Sequence, residues 1–383
     1  MDYIEVLFAA ISQSVATHIA NETLSSLICD GIIGGVGSVL LFLPNILILF
    51  FGISLLETTG YMSRVAFLLD GFFHKFGLHG KSFIPLVTGF GCSVPAFMAT
   101  RALKNEKDRL LTLFIINFMS CGARLPVYVL FIGAFALKEE ARNWLFAIYI
   151  FGAIVGLACA KFLRVMVFRG KDEPFVMEMP KYRIPNWRLV WFMIANKAKM
   201  YLKKAGTFIL AASVLIWFSN MYPKNEQIAA KFDEQIALTQ DISKKETLEF
   251  EKSNALLQNS YLGKAGKALE PIFAPLGFDW RLSVSLVSGL AAKEVMISTM
   301  GVLYSLGDQD ENSKSLTGVI KSQIPLSTAV AYLLFVMFYN PCLAASVVFA
   351  REAGGLKYLA LLFIFTSIVA YIMALFGRIL FSL

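Results

Sequence analysis

The sequence predicts an all-α membrane protein, a polytopic bundle of about eight transmembrane helices in two repeated halves with broken helices. Three observations predict it. Of 383 residues, 57% are hydrophobic and 16% are charged, where a soluble domain carries about a quarter charged residues. Runs such as Val39–Leu56 and Leu359–Leu375 hold no charge at all. Inside lipid the backbone must satisfy its own hydrogen bonds, so such runs are expected as helices. The third observation is a pattern that returns at a constant offset, described below. The short alternating strands of an outer-membrane barrel are not seen in the sequence.

Taken in order, residues 1–30 read as an amphipathic surface helix or a tether from a preceding domain, with Ile4, Leu7, Phe8, Ile11, Val15 and Ile19 on one face. The apolar segments follow at about 32–56, 83–102, 110–135, 144–168, 205–221, 283–304, 327–350 and 357–381. The first repeat spans 31–168 and the second 205–383, joined by a basic loop at 169–204. The net charge of +8 gathers between Lys161 and Lys204, with Arg101, Lys104, Lys107 and Arg109 crowding an earlier loop. Both loops are expected in the cytoplasm, and with four helices per half so are both termini. Residues 222–282 are polar and near-neutral (Lys and Arg 8, Asp and Glu 9), which predicts a periplasmic insertion. The basic stretch carries no aromatic platform or reading helix, so nucleic acid is not an expected partner; the lipid bilayer is.

At an offset of 200, Tyr61, Leu69, Phe73, Gly77, Leu86, Val87 and Gly89 face identical residues in 261–289, and Asp70 faces Glu270. At 221, Phe114, Cys121, Ala123 and Val127 face Phe335, Cys342, Ala344 and Val348. A duplication predicts a substrate site where the halves meet, at broken helices near the membrane midplane.

Two breaks stand out. One is Gly91-Cys92-Ser93-Val94-Pro95 and the other is Cys121-Gly122-Ala123-Arg124-Leu125-Pro126. Proline removes a donor and repels the carbonyl four residues earlier, here those of Gly91 and Gly122. A thiol then sits beside a freed oxygen at each break. Thiolates favour soft or borderline ions such as Fe(II), Zn(II) or Cu(I) over Mg(II) and Ca(II), and a conduction path needs partial coordination so that the ion leaves again. The competing reading makes Cys92 and Cys121 small packing residues and the prolines simple kinks. Cys342, after Pro341, matches Cys121 in the second half; Cys29 and Cys159 read as packing. An odd count of five cysteines, mostly in apolar runs, argues against a disulfide framework.

Ionisable residues within or at the ends of apolar segments are costly and by default functional or paired. Glu57 and Glu294 are the candidates, with Arg124 as a possible partner and a structural ion pair as the competing reading. His18, His74 and His79 are scattered and are given no metal role. Gly80-Lys81-Ser82 ends like a phosphate loop, but Lys75 stands where that loop needs glycine, and no strand precedes it. This chain is therefore not expected to be an enzyme or to hold a bound cofactor.

The stretches 30–44, 56–67, 89–101 and 120–128, with the two cysteine motifs in order, resemble the ferrous iron transport protein B (FeoB) family from about residue 30 to the C-terminus. The resemblance implies paired gate-like halves in a bacterial inner membrane and Fe(II) as the transported ion. It matches Cys92 and Cys121 to pathway cysteines and Glu57 and Glu294 to polar positions of the membrane core. It also implies a GTP-binding domain or subunit, small cytoplasmic accessory proteins and possible homo-oligomerisation. No GTP-binding domain is expected in this chain, which reads as a membrane region or one part of a split system. The alternatives are a gate-fold carrier for a nucleoside or other organic solute, and a membrane scaffold that transports nothing.

Overall fold

The structure, a computed structural model, describes residues 8, 10–15, 22–168, 182–223, 230–232, 234–236, 245, 248, 252, 255–304 and 314–382. Among these, the regular secondary structure is all helical and there is no strand. The first half comprises α1 (Gly34–Thr58), α2 (Tyr61–His74), α3 (Phe83–Gly91), α4 (Ser93–Ala99), α5 (Glu106–Ile116), α6 (Leu125–Phe135) and α7 (Lys138–Met166). The second comprises α8 (Trp187–Met221), α9 (Tyr261–Phe273), α10 (Trp280–Ala291), α11 (Val295–Leu303), α12 (Lys314–Gln323), α13 (Leu326–Phe338), α14 (Leu343–Ala353) and α15 (Leu356–Ser382).

Local chemistry sets the ends. Asn105 accepts from Lys107 N at 2.9 Å and opens α5, with Glu106 and Asp108 in the first turn where the helix dipole favours acid. Ser260 opens α9 through Gly263 N at 3.1 Å, and Asp279 opens α10 through Leu282 N at 2.9 Å. Gly77 (φ 73°) and Gly277 (φ 78°) take left-handed conformations at equivalent corners, where a side chain would be strained. Each corner is covered by an arginine, Arg164 at Gly77 and Arg378 at Gly277.

The duplication appears in the backbone itself. Cys92, between α3 and α4, has φ −155° and ψ 132°, and Ala292, 200 residues on, has φ −148° and ψ 133°. Cys121 and Cys342, 221 apart, have φ −73°, ψ 159° and φ −65°, ψ 162°.

The two kinds of break behave differently. α3 packs back along α4, and α10 along α11, so each of these pairs is a re-entrant hairpin. The pairs α5/α6 and α13/α14 do not pack side by side; the chain passes onward through their breaks. Segments 83–102 and 283–304, expected as spans, are therefore hairpins rather than through-going helices. The longer through-going segments are α1, α5/α6 and α7 in one half and α8, α13/α14 and α15 in the other.

By length and composition, residues 139–166, 326–353 and 356–382 can cross a membrane. Their outer faces agree. On α15 Leu361, Ile364, Ile368, Ile372 and Phe376 are exposed while Leu362, Thr366, Ala370, Ala374 and Gly377 are buried. An apolar stripe pointing outward and a small-residue stripe pointing inward is the pattern of a helix between lipid and protein.

The halves interlock along α5/α6 and α13/α14. Phe131 stacks on Tyr332 (5.0 Å), and Phe97 meets Phe349 edge-on (5.4 Å). Arg101, after α4, makes a two-pronged ion pair with Glu352 at the end of α14.

Three expected boundaries shift. Of the basic loop, residues 169–181 lie outside the described residues and 187–204 belong to α8. In the 222–282 insertion, everything from Tyr261 onward is membrane-half structure, α9 and the start of α10. Of residues 1–30, positions 8, 10–15 and 22–30 are described and helical, ending in a π-helical turn over Leu27–Ile33; Ile4, Leu7 and Ile19 lie outside them.

Candidate functional site

The hairpin tip at Cys92 and the break at Cys121 meet. α3 ends at Gly91, and its successor restarts at Ser93, which places Pro95 in the first turn of α4. A first-turn N–H has no helical partner anyway, so proline costs little there. Pro95 has no N–H to offer the Gly91 carbonyl, and that oxygen is left facing the second break. A Cβ on Gly122 would stand 3.5 Å from it, so the absence of a side chain at Gly122 keeps the gap open. Pro126 likewise opens α6. The Gly122 carbonyl is not free, however: Leu125 N donates to it. Of the two freed oxygens expected from the prolines, the structure keeps one.

The thiol of Cys92 lies within electrostatic reach of Cys121, Cys342 and Glu294, and Cys342 within reach of Cys121, Glu294 and Lys293. All three cysteines are half-buried. Glu294 sits at the tip of the second hairpin, between the Ala292 break and α11. Thus residues from four separate segments converge on one region. Among the described residues, no three His, Cys, Asp or Glu side chains form a ready-made metal cage.

Arg124 is 2% exposed. It donates through its two terminal nitrogens to Asn117 O at 3.0 Å and Tyr339 O at 3.1 Å. The partner proposed for it, Glu294 or Glu57, is not what it binds; backbone carbonyls freed at the two breaks take that place, because a helix interruption leaves oxygens that a buried guanidinium can satisfy. Its Nε has no hydrogen-bond partner among the described residues. Asn117 also reaches across the halves, donating to Tyr339 O at 3.1 Å. Lys293, beside Glu294, is 2% exposed and donates to Asn340 O at 2.7 Å.

Other candidates lie apart. Glu57 is exposed in the last turn of α1, eight residues beyond Leu49, the side chain that packs on Gly91; that is about 12 Å along a helix. Cys159 is half-buried inside α7, and Cys29 donates to Ser12 O at 3.4 Å. Gly80–Ser82 is a short turn in which Gly80 N donates to Asp70 at 2.7 Å. Asn117, Tyr339 and Asn340 were not singled out in the sequence. Their signal was available: Asn340-Pro341-Cys342 is a third cysteine-proline break, and Asn117 precedes Cys121 by one helical turn.

A duplicated, all-helical membrane fold with re-entrant hairpins facing broken helices defines a membrane protein of the gate class. The family profile described as "Gate: Nucleoside recognition" matches residues 39–135 and 202–356. A second, "Ferrous iron transport protein B C terminus", matches 145–197. The chain belongs to the FeoB family. It is 65% identical, over 98% of its length and 59% of the relative's, to an Fe(2+) transporter FeoB of Campylobacter jejuni. It is 56% identical, over 96% of its length and 59% of the relative's, to one of Helicobacter pylori. An "Fe(2+) transport protein A/Fe(2+) transporter FeoB fusion protein" of Porphyromonas gingivalis is 42% identical over 98% of this chain and 46% of that protein. The chain therefore spans about three fifths or less of the length of these relatives. No solved structure matches it.

Proposed function

We propose that this chain is the permeation part of a bacterial Fe(II) importer, and that the ion passes between the Cys92 hairpin tip and the Cys121 break. The observation that carries the reading is the meeting of the two breaks: a bare Gly122 opposite the Gly91 carbonyl, with Cys92, Cys121 and Cys342 in mutual electrostatic reach. Thiols with one backbone oxygen suit a borderline ion. An open arrangement suits one that must also leave. The names of the relatives support iron as cargo.

In this reading the basic loops face the cytoplasm of an inner-membrane protein. With the two hairpins counted as returns, Gly34 and Ser382 lie on the side opposite those loops in this reading. A GTP-binding domain or subunit would bias the arrangement of the halves. An accessory protein of the A type is a natural partner, since one relative is a fusion with it.

The test is metal flux into liposomes through the whole transporter carrying Cys92→Ser and Cys121→Ser. Loss of even about 1.4 kcal/mol of stabilisation along the path slows flux about tenfold. Undiminished Fe(II) flux would remove the thiols from the path. A nucleoside cargo is the second reading, favoured by the description of the gate profile; it requires that nucleosides compete with iron or bind on their own.

A further inference from the structure

The two halves treat their breaks unequally. In the first half the Gly91 oxygen faces Gly122 between the Cys92 and Cys121 breaks, and among the described residues no lysine or arginine donates to it. In the second half, the carbonyls released where α13 gives way to α14 are already occupied. Asn340 O accepts from Lys293 Nζ at 2.7 Å, and Tyr339 O accepts from Arg124 at 3.1 Å and Asn117 at 3.1 Å. The Lys293 nitrogen also lies 3.1 Å from the centroid of the Tyr339 ring. That ring is held in turn, its hydroxyl donating to Met296 Sδ at 3.4 Å. Asn340 is fixed by Thr366, which donates to its side-chain oxygen at 2.7 Å, and by Ser367 at 3.2 Å.

A carbonyl oxygen and an aromatic face on one nitrogen make a cage for a monovalent cation. The residue that fills it has no counterpart in the first half, where Ser93 occupies the equivalent position. Neither Lys293 nor Arg124 has a carboxylate within hydrogen-bond distance among the described residues. A buried lysine that hydrogen-bonds a carbonyl rather than a carboxylate is costly, with Glu294 beside it as the nearby acid, so its place here asks for a reason other than stability.

We propose that Lys293 is a tethered cation: its amine head group occupies a carbonyl–aromatic cage in the second half, so that only the cysteine-bearing gap is open to a free ion. The lysine thereby sets selectivity, since an empty cage would accept small monovalent cations. This rests on the reading of the Cys92–Cys121 gap as the metal path, but the test separates the two.

The whole transporter with Lys293→Ala is reconstituted in liposomes, and Rb⁺ and Fe(II) fluxes are measured with and without ethylammonium. Rb⁺ flux is expected to rise at least about tenfold over the parent protein and to fall again when millimolar ethylammonium refills the cage. The same leak is expected in a variant that also carries Cys92→Ser and Cys121→Ser, because it does not use the thiols. A leak that persists while cysteine loss leaves Fe(II) flux unchanged would retain the cage and overturn the metal path alone. In detergent, ethylammonium is expected to raise the melting temperature of Lys293→Ala by about 3 °C or more, with no such rise in Lys293→Arg or the parent. If neither the leak nor the selective stabilisation is found, Lys293 is a packing residue and the proposal fails. Should Lys293→Ala not fold, Lys293→Ser takes its place, since it empties the cage and reproduces the residue found at position 93 of the first half; an unaltered Rb⁺ flux in it overturns the proposal equally.

Discussion

Replacing Gly122 by alanine adds one methyl group between the two cysteine breaks. The new Cβ would stand 3.5 Å from the Gly91 carbonyl oxygen, with no other heavy atom within 4 Å. That is ordinary van der Waals contact, so stability should change by no more than about 0.5 kcal/mol. The methyl nevertheless covers the oxygen on the side that faces the gap. An oxygen contact to a charged group is worth about 1.5–3 kcal/mol, and losing it in the path alone slows flux by about 10- to 100-fold. Gly91→Ala supplies the contrast. Its Cβ would overlap the side chain of Leu49, a clash of the kind that costs about 1–3 kcal/mol. The assay pairs thermal unfolding in detergent with Fe(II) flux in liposomes, on the whole transporter. Gly122→Ala should melt like the parent and conduct poorly, whereas Gly91→Ala should melt early. A Gly122→Ala protein with parental melting and parental flux would show that the Gly91 oxygen takes no part in conduction.

Arg124→Met should lower stability by about 1–3 kcal/mol, because the buried Asn117 carbonyl loses its donor while the Tyr339 carbonyl keeps the one from Asn117; denaturant unfolding would reveal it, and Arg124→Lys should recover part of the loss. Gly77→Ala and Gly277→Ala should each destabilise by about 1–3 kcal/mol, since both positions have positive φ and a Cβ would strike Arg164 or Thr328; a large effect at one and none at the other would contradict equivalent corners. Arg101→Ala should cost about 1–3 kcal/mol, because although Arg101 is 57% exposed its removal leaves the Glu352 carboxylate, 7% exposed, without its partner. It should also weaken the dependence of the melting temperature on salt, as read from melts at low and high ionic strength.

Several features of the site were legible because they are local. Cys92 and Cys121 announce themselves by glycine and proline a few residues away, and the breaks lie at those residues. The offsets of 200 and 221 pair residues whose backbone angles agree within a few degrees, as at Cys92 and Ala292. What failed was inference across distance. A carboxylate is the partner that charge alone suggests for Arg124, yet its two terminal nitrogens donate to carbonyls from different halves. Glu57 joins the candidates through its charge and the family resemblance, while the length of α1 places it in an exposed turn. Asn117, Tyr339 and Asn340 offer backbone oxygens, which every residue carries; the Asn340-Pro341-Cys342 break marks the place in the sequence but not which cation each oxygen meets.

By itself the sequence determined that this chain is helical, that its outer faces are apolar, that it is duplicated and where its helices break. Those properties follow from composition, periodicity and proline chemistry, which act over a few residues. Only the tertiary structure decided which way the chain runs after each break. Pro95 and Pro126 stand in the first turn of a new helix in both cases, but α4 folds back on α3 while α6 continues away from α5. The covalent signal is the same. The packing of the half-helices against the rest of the bundle chooses between folding back and running on, and that choice brings the cysteine-bearing breaks together.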